Sequence, residues 1–289
     1  MSVASAKEEF VAAGVIEVRR AADRTRTVVD GVESRHSFSF GQHYDPANTS
    51  FGPLVALNDE TLQPGRGFAA HRHADIEIVT WVVSGSLVHE DSTGQRHVTG
   101  RGAVQWLSAG SGVLHSERSV PDSRATPTGR ATPTGRGTPT GRPTPTSRRT
   151  GTGPVTNTPG ATRFIQMWVL PDEPGGAPRF AQRPIDVAAL ASGFVVIASG
   201  QSRRRDQAAV PIGCAGAALL ATQLVREQSV WLPEAKLVHL FVVGGAVELD
   251  TGERLLEGDS ARLRSRARAL LRCRAPAELL VWELDEPTR

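Results

Sequence analysis

His71-Arg72-His73-Ala74-Asp75-Ile76-Glu77-Ile78-Val79-Thr80-Trp81-Val82-Val83 places two histidines at i and i+2, directly ahead of a run rich in branched residues. Such a run, closed by Ser84-Gly85, reads as a β-strand. On a strand, residues at i and i+2 share a face. His115-Ser116-Glu117 repeats that spacing about forty residues later. Two neighbouring strands would therefore aim three imidazoles and a carboxylate into one barrel interior. That mixed nitrogen and oxygen set suits Fe, Mn, Ni, Cu or Zn better than Mg or Ca. Glu77 is also an even number of residues from His73, so on an unbroken strand it too is a candidate ligand.

Outward from this stretch, short apolar runs alternate with turns. Ser37-Phe38-Ser39-Phe40 alternates, Val55-Ala56-Leu57 ends at Asn58-Asp59-Glu60, and Leu62 to Phe68 reads as a turn feeding the first ligand strand. Ser86–Asp91, Val104–Leu107 and Arg163–Leu170 are further strands, with Gln105 and Trp106 read as barrel wall and Phe68 at the cavity mouth. The rhythm is that of an all-β barrel or sandwich. His36, His43, His89 and His97 have no ligand spacing; His89 is read as structural, with a pocket role as the alternative.

Four hexads interrupt the pattern: ATPTGR (125–130), ATPTGR (131–136), GTPTGR (137–142) and PTPTSR (143–148). They hold almost no apolar side chains, so burial cannot offset the entropy of ordering them, and a disordered surface loop over about 121–160 is expected. That stretch carries six arginines against Asp122 alone, while the whole chain is only +3. The remainder is slightly acidic, so no direct nucleic-acid binding is expected. The C-terminal part holds a second strand series, including 193–198, 217–224, 238–243, 247–250 and 279–284. Residues 238–263 have the strand–Gly–strand–turn–strand rhythm of 79–104, which suggests a duplicated fold. The second copy has no HxH and only His239. Cys214 and Cys273, outside any CxxC pair, read as reduced thiols. With no apolar run near the roughly 20 residues of a membrane span, a cytoplasmic location away from membranes is expected.

Gly65-x5-His71-x-His73-x3-Glu77 matches the first cupin motif. Gly102-x5-Ser108-x-Gly110 resembles the second, with Ser108 in place of the usual Pro and His115 two residues late. SFSFGQHYDP (37–46), FGPLVALND (51–59), the His71–Trp81 stretch, HEDSTG (89–94), VQWLSAGSGVLHSE (104–117) and RFIQMWVLP (163–171) resemble the pirin family. The resemblance implies a bicupin, two cupin (jelly-roll) β-barrels face to face. Residues 1–175 would form the metal-binding domain, interrupted by the repeat insert, and 176–289 a second cupin domain without metal ligands. It implies one divalent transition metal on His71, His73, His115 and Glu117, with Glu77 a nearby structural group. Iron(II) is the metal expected, with Mn, Ni, Cu or Zn as alternatives. It further implies quercetin 2,3-dioxygenase-type chemistry, opening flavonol-like enolic substrates with O2 and using Glu117 as catalytic base. The alternative it offers is a non-enzymatic, iron-dependent regulator that binds a transcription factor or metabolic enzyme, with the arginine-bearing repeat as a contact arm.

Overall fold

The computed structural model describes residues 15–120, 160–264 and 269–286. Residues 121–159, which hold the repeat read as a disordered loop, lie outside them. In chain order the strands are β1 (Val15–Arg19), β2 (Thr25–Val29), β3 (Val32–His36), β4 (Leu54–Leu62), β5 (Gly67–His73), β6 (Glu77–Ser84), β7 (Ser86–Asp91), β8 (Arg96–Gly100), β9 (Ala103–Ser108), β10 (Val113–Ser119), β11 (Thr162–Val169) and β12 (Arg179–Pro184). After a one-turn helix, α1 (Val187–Ser192), come β13 (Val195–Ser199), β14 (Val210–Pro211), β15 (Ala217–Leu224), β16 (Ser229–Trp231), β17 (Leu237–Leu249), β18 (Arg254–Leu256), β19 (Ser260–Arg264) and β20 (Leu270–Leu284).

The first barrel is a seven-stranded sheet, β12-β9-β6-β11-β4-β3-β2, facing a four-stranded sheet, β5-β10-β7-β8. The second is built on β1-β19-β17-β20-β15-β13-β14, with β16 and β18 paired at its rim. The architecture is the expected bicupin. Two strands pair with the barrel distant from them in sequence: β1 adds to β19 of the second barrel, and β12 adds to β9 of the first.

Alternation assigns the two faces of the seven-stranded sheet different work. Its outer face presents Leu57, Val79, Trp81, Val104, Ile165 and Met167 to Leu219, Phe241, Leu280 and Trp282 of the second barrel, as one apolar core. The second barrel encloses a continuous apolar filling that includes Leu240, Val247, Leu271 and Val281. The first barrel is different. Its interior holds two separate apolar clusters, one round Leu62, Val82, Leu87 and Phe164 and one round Ile78, Leu107 and Val113. A polar row crosses the seven-stranded sheet on its inner face, with Gln105, Thr80, Gln166, Asn58 and His36 side by side in register. Buried polar groups must be partnered, so an interior built this way is suited to a site rather than to a core.

Several expectations need correction. Asn58-Asp59-Glu60 does not end a strand: β4 runs on to Leu62 with all three buried. Partners from neighbouring strands make this tolerable. His36 meets Asn58 at 3.0 Å, Arg163 clamps Asp59 through two bonds of 2.9 Å, and Ser34 donates to Glu60. Ser37–Phe40 is not a regular strand, because β3 ends at His36 and Phe38 turns into the seam between the barrels. The runs 238–243 and 247–250 are one bulged strand, β17. Strand β12 and helix α1, capped by the Asp186 side chain on Ala188 N at 2.9 Å, carry no apolar run long enough to announce them. Cys214 and Cys273 are buried free thiols. Among the described residues, no helix is long and apolar enough to cross a membrane.

Glu77 shows how the barrels are pinned together. It lies on the outer face of the sheet, where one carboxylate accepts hydrogen bonds from Trp106 Nε1 (2.6 Å), Ser108 Oγ (2.6 Å) and, across the interface, Gly213 N (2.9 Å). Glu77→Ala orphans three donors at once, two of them on buried residues. A loss of about 3 kcal/mol is expected, since each unsatisfied buried group costs about 1–3 kcal/mol. Urea unfolding measures it, and a loss below about 1 kcal/mol would remove Glu77 as an interbarrel pin.

Candidate metal centre

Strands β5 and β10 run antiparallel, with His71 directly opposite His115 and His73 opposite Val113. The register shifts between His115 and Glu117, so that Glu117 faces Phe68. This bulge depends on Gly67. A Cβ there would stand 2.0 Å from the Glu117 carbonyl oxygen, well inside any allowed contact, so glycine alone lets the two ligand strands approach this closely.

The structure brings His71, His73 and His115 together, with one ligand atom from each within 4.8 Å of the others. Their ring centroids are 4.5 to 5.0 Å apart. His71 Nδ1 donates to the Ala69 carbonyl at 2.8 Å, leaving Nε2 as its ligand atom. The buried Nε2 atoms of His73 and His115 have no hydrogen-bond partner in the protein. Burial lowers the pKa of His73 to about 4 and that of His115 to about 3, with neighbouring imidazoles adding to the effect. Both rings are therefore neutral at pH 7, the form that binds a metal. Three converging imidazoles, two of them with orphaned buried nitrogens, fit a divalent transition metal.

Glu117 is fully buried and joins His115 and His89 in a second group of the same tightness, separate from the His71–His73 pair. Its two oxygens accept from Gln105 Nε2 at 3.3 Å and Gln166 Nε2 at 2.7 Å. Each amide is itself oriented, Gln105 by Thr99 Oγ1 at 2.9 Å and Gln166 by Trp168 Nε1 at 3.1 Å. Burial raises the Glu117 carboxyl to about 7, partly offset by the two amide bonds. Phe68 lies edge-on to His71, with centroids 6.2 Å apart, and Trp168 edge-on to His73 at 4.8 Å.

A family model described as Pirin matches residues 17–130. A protein of Caulobacter vibrioides named "Pirin-like protein" is 30% identical over 251 residues, covering 86% of this chain and 91% of its own. The chain belongs to the pirin family. A Mycobacterium tuberculosis protein named "Putative quercetin 2,3-dioxygenase" is 38% identical over 269 residues, 93% of this chain and 95% of that one. The crystal structure of YhhW from Escherichia coli superposes with a TM-score of 0.76 at 25% identity, covering 95% of this chain and all of the other. A second structure of YhhW, described as a bacterial pirin in complex with nickel(II), superposes with a TM-score of 0.74 at 24% identity.

Two residues of this pirin-family chain stand where spacing did not put them. Glu77 falls out of phase with His73 because the strand breaks between them: β5 stops at His73, Asp75 takes φ +51°, and β6 restarts at Glu77. Its carboxylate therefore points toward the second barrel. His89, read as structural with a pocket role as the alternative, takes the pocket role and lies beside His115 and Glu117. It is opposite Glu117 on β7, with its Nδ1 3.3 Å from His115 Nδ1 and its Nε2 3.1 Å from Asp91 Oδ2. Asp91 accepts Nε2–H of His89, so His89 Nδ1 is free to accept Nδ1–H of His115. That leaves the His115 Nε2 lone pair facing the other histidines. The signal was present as another i, i+2 pair, His89-x-Asp91, on a strand beside the ligand strand.

Partners that hold a ligand imidazole in one tautomer typically contribute about 10- to 100-fold to metal affinity. His89→Phe, which keeps a flat ring against Phe180 (centroids 4.7 Å apart), is expected to weaken metal binding by about that factor. Competition with a chromophoric chelator reads it, and unchanged affinity would reduce His89 to packing.

Proposed function

We propose that this protein is a metal-dependent dioxygenase of the quercetin 2,3-dioxygenase type, acting on flavonol-like enolic substrates with O2. The observation that carries the reading is the convergence of three neutral imidazoles, two with orphaned buried nitrogens, beside a buried carboxyl gripped by two oriented amides. His71, His73 and His115 would hold the metal, iron(II) in the first instance, and Glu117 would complete the set next to His115. A divalent ion bound there supplies Lewis acidity, which favours the ionised 3-hydroxyl of a flavonol.

The remaining work falls to the chain. Glu117 takes the proton of that hydroxyl, and a carboxyl with a pKa near neutrality is matched to accepting and returning a proton at pH 7. Gln105 and Gln166 keep the carboxylate from rotating away while it does so. Ile78, Leu107 and Val113, with Trp168 packed against them, form a buried apolar cluster in the same barrel interior, from which water is excluded. Overall, quercetin and O2 give a ring-opened ester and carbon monoxide. The names carried by the relatives support the same chemistry.

The test is carbon monoxide release from quercetin under air by Fe(II)-reconstituted protein. Stoichiometric release with substrate loss is expected. No release from protein shown to hold metal would reject the dioxygenase reading and leave the metal with a non-catalytic, regulatory role.

A further inference from the structure

Trp168 lies on β11 two residues beyond Gln166, so both side chains point into the first barrel. Gln166 stands opposite Asn58 and Thr80 in the buried polar row, and Trp168 opposite Ala56 and Ile78, one step along the strands. Gln166 is buried, whereas Trp168 is half-buried, as are His71 and His73. The indole therefore sits between the buried row and the half-exposed histidines. It is braced from two sides. Its ring meets His73 edge-on at 4.8 Å and Phe40 edge-on at 5.2 Å. Phe40 in turn stacks on His36, whose Nδ1 lies 3.0 Å from Asn58 Oδ1.

The polarity of the indole matters as much as its bulk. A glutamine amide offers an acceptor oxygen on one side and an NH2 donor on the other, and its shape alone does not decide which way it turns. Gln166 stands between two groups that each tolerate one side only. Trp168 Nε1–H can donate and cannot accept, so it takes Gln166 Oε1, at 3.1 Å. That leaves Nε2 for the Glu117 carboxylate, at 2.7 Å. Turned over, Gln166 would set its NH2 against the indole N–H and its carbonyl oxygen against the ionised carboxylate, and both contacts would repel. The second clamp has no such lock. Gln105 accepts from Thr99 Oγ1 at 2.9 Å, but a hydroxyl can equally accept, so Thr99 permits either orientation of that amide. The contact of Gln105 with Glu117 is also longer, at 3.3 Å.

We propose that Trp168 is a positioning residue of this site: its indole N–H fixes the polarity of the Gln166 amide, and through it the place of the Glu117 carboxylate beside the histidines. The inference rests on the reading of Glu117 as the working carboxylate of a dioxygenase, and it names the residue that sets that group. Without the N–H, Gln166 gains a second orientation that repels Glu117, and the short bond to Oε2 is no longer secured. A hydrogen bond to a charged group is among the stronger ones, so its orientation carries weight in a buried network. Because the same ring packs on His73, one side chain joins a proposed metal ligand to the hold on the base.

Trp168→Phe keeps a flat ring near His73 and Phe40 and removes the donor. NMR of the full-length, Zn(II)-loaded protein, labelled in its glutamine side chains, reads the lock without turnover. The Gln166 NH2 signal, assigned by its loss in Gln166→Leu, should shift or split in Trp168→Phe. If Trp168→Phe does not fold, one indole N–H signal, which should move in Gln166→Leu, gives the same reading. In Fe(II)-loaded protein, Trp168→Phe should lower kcat for carbon monoxide release about tenfold, the order expected for one lost hydrogen bond, with KM and bound metal unchanged. The double variant Trp168→Phe/Gln166→Leu should be no slower than Gln166→Leu alone, because the indole acts through that amide. A role in packing alone would instead lower metal content and add to the loss in Gln166→Leu. An unchanged Gln166 signal in Trp168→Phe, an unmoved indole signal in Gln166→Leu, or an additive double variant would each overturn the proposal. Should the wild type release no carbon monoxide, the dioxygenase reading fails, and the NMR signals still decide whether Trp168 sets the amide.

Discussion

His115→Ala is expected to yield a folded protein that no longer retains divalent metal and releases no carbon monoxide from quercetin. Of the three histidines, this one is the most deeply set. It pairs across the strands with His71, is held at Nδ1 by His89, and presents an unpartnered Nε2. Removing it takes away one of the proposed ligands and also the residue paired across the strands with His71. The loss of affinity should exceed the roughly 10- to 100-fold typical of losing an outer partner such as His89. Folding should survive. The ring is neutral at pH 7, so no ion pair is broken, and the orphaned His89 Nδ1 costs about 1–3 kcal/mol. Metal analysis after gel filtration, with circular dichroism as the folding control, separates these effects. A His115→Ala protein that keeps wild-type metal would mean that the ion sits elsewhere.

The legible part of this molecule was its periodicity. HxH and HxE at i, i+2 spacing placed three histidines on one face of adjacent strands. The branched run after Asp75 was a strand, and the repeated strand–Gly–strand rhythm was a second barrel. What resisted reading were the places where polar residues are buried. Asn58-Asp59-Glu60 has the composition of a turn, and only Ser34, His36 and Arg163, distant in sequence, make it an interior strand. Glu77 satisfied parity, but parity holds only along an unbroken strand, and Asp75 breaks this one. His89 was set aside because an isolated histidine carries no spacing signal, although Asp91 two residues on was the clue to its orientation. For Asn58–Glu60 and for His89 the deciding interactions cross between strands, where local pattern has no reach; for Glu77 it is the break at Asp75 itself.

Glu117→Gln should separate chemistry from metal binding. The substitution preserves shape, and the three imidazoles remain, so metal should be lost far less than in His115→Ala. One new conflict arises: a glutamine at 117 turns an amide nitrogen toward either Gln105 or Gln166, both of which already donate there. One bond is then lost, worth about 1 kcal/mol. Turnover should fall much further, by about 10²–10⁴-fold, the usual contribution of a positioned general base. The pH profile gives an independent reading. A base must be ionised to act, and burial holds this carboxyl at about 7. Wild-type activity should therefore decline as pH falls below neutrality, with a bound cation moving that limb lower. The residual activity of Glu117→Gln should lack the limb altogether. Carbon monoxide release per bound metal, followed from pH 5 to 9, measures both. Unchanged turnover in the variant would remove Glu117 as base. Metal and activity lost in proportion would make it a ligand whose chemistry ends there.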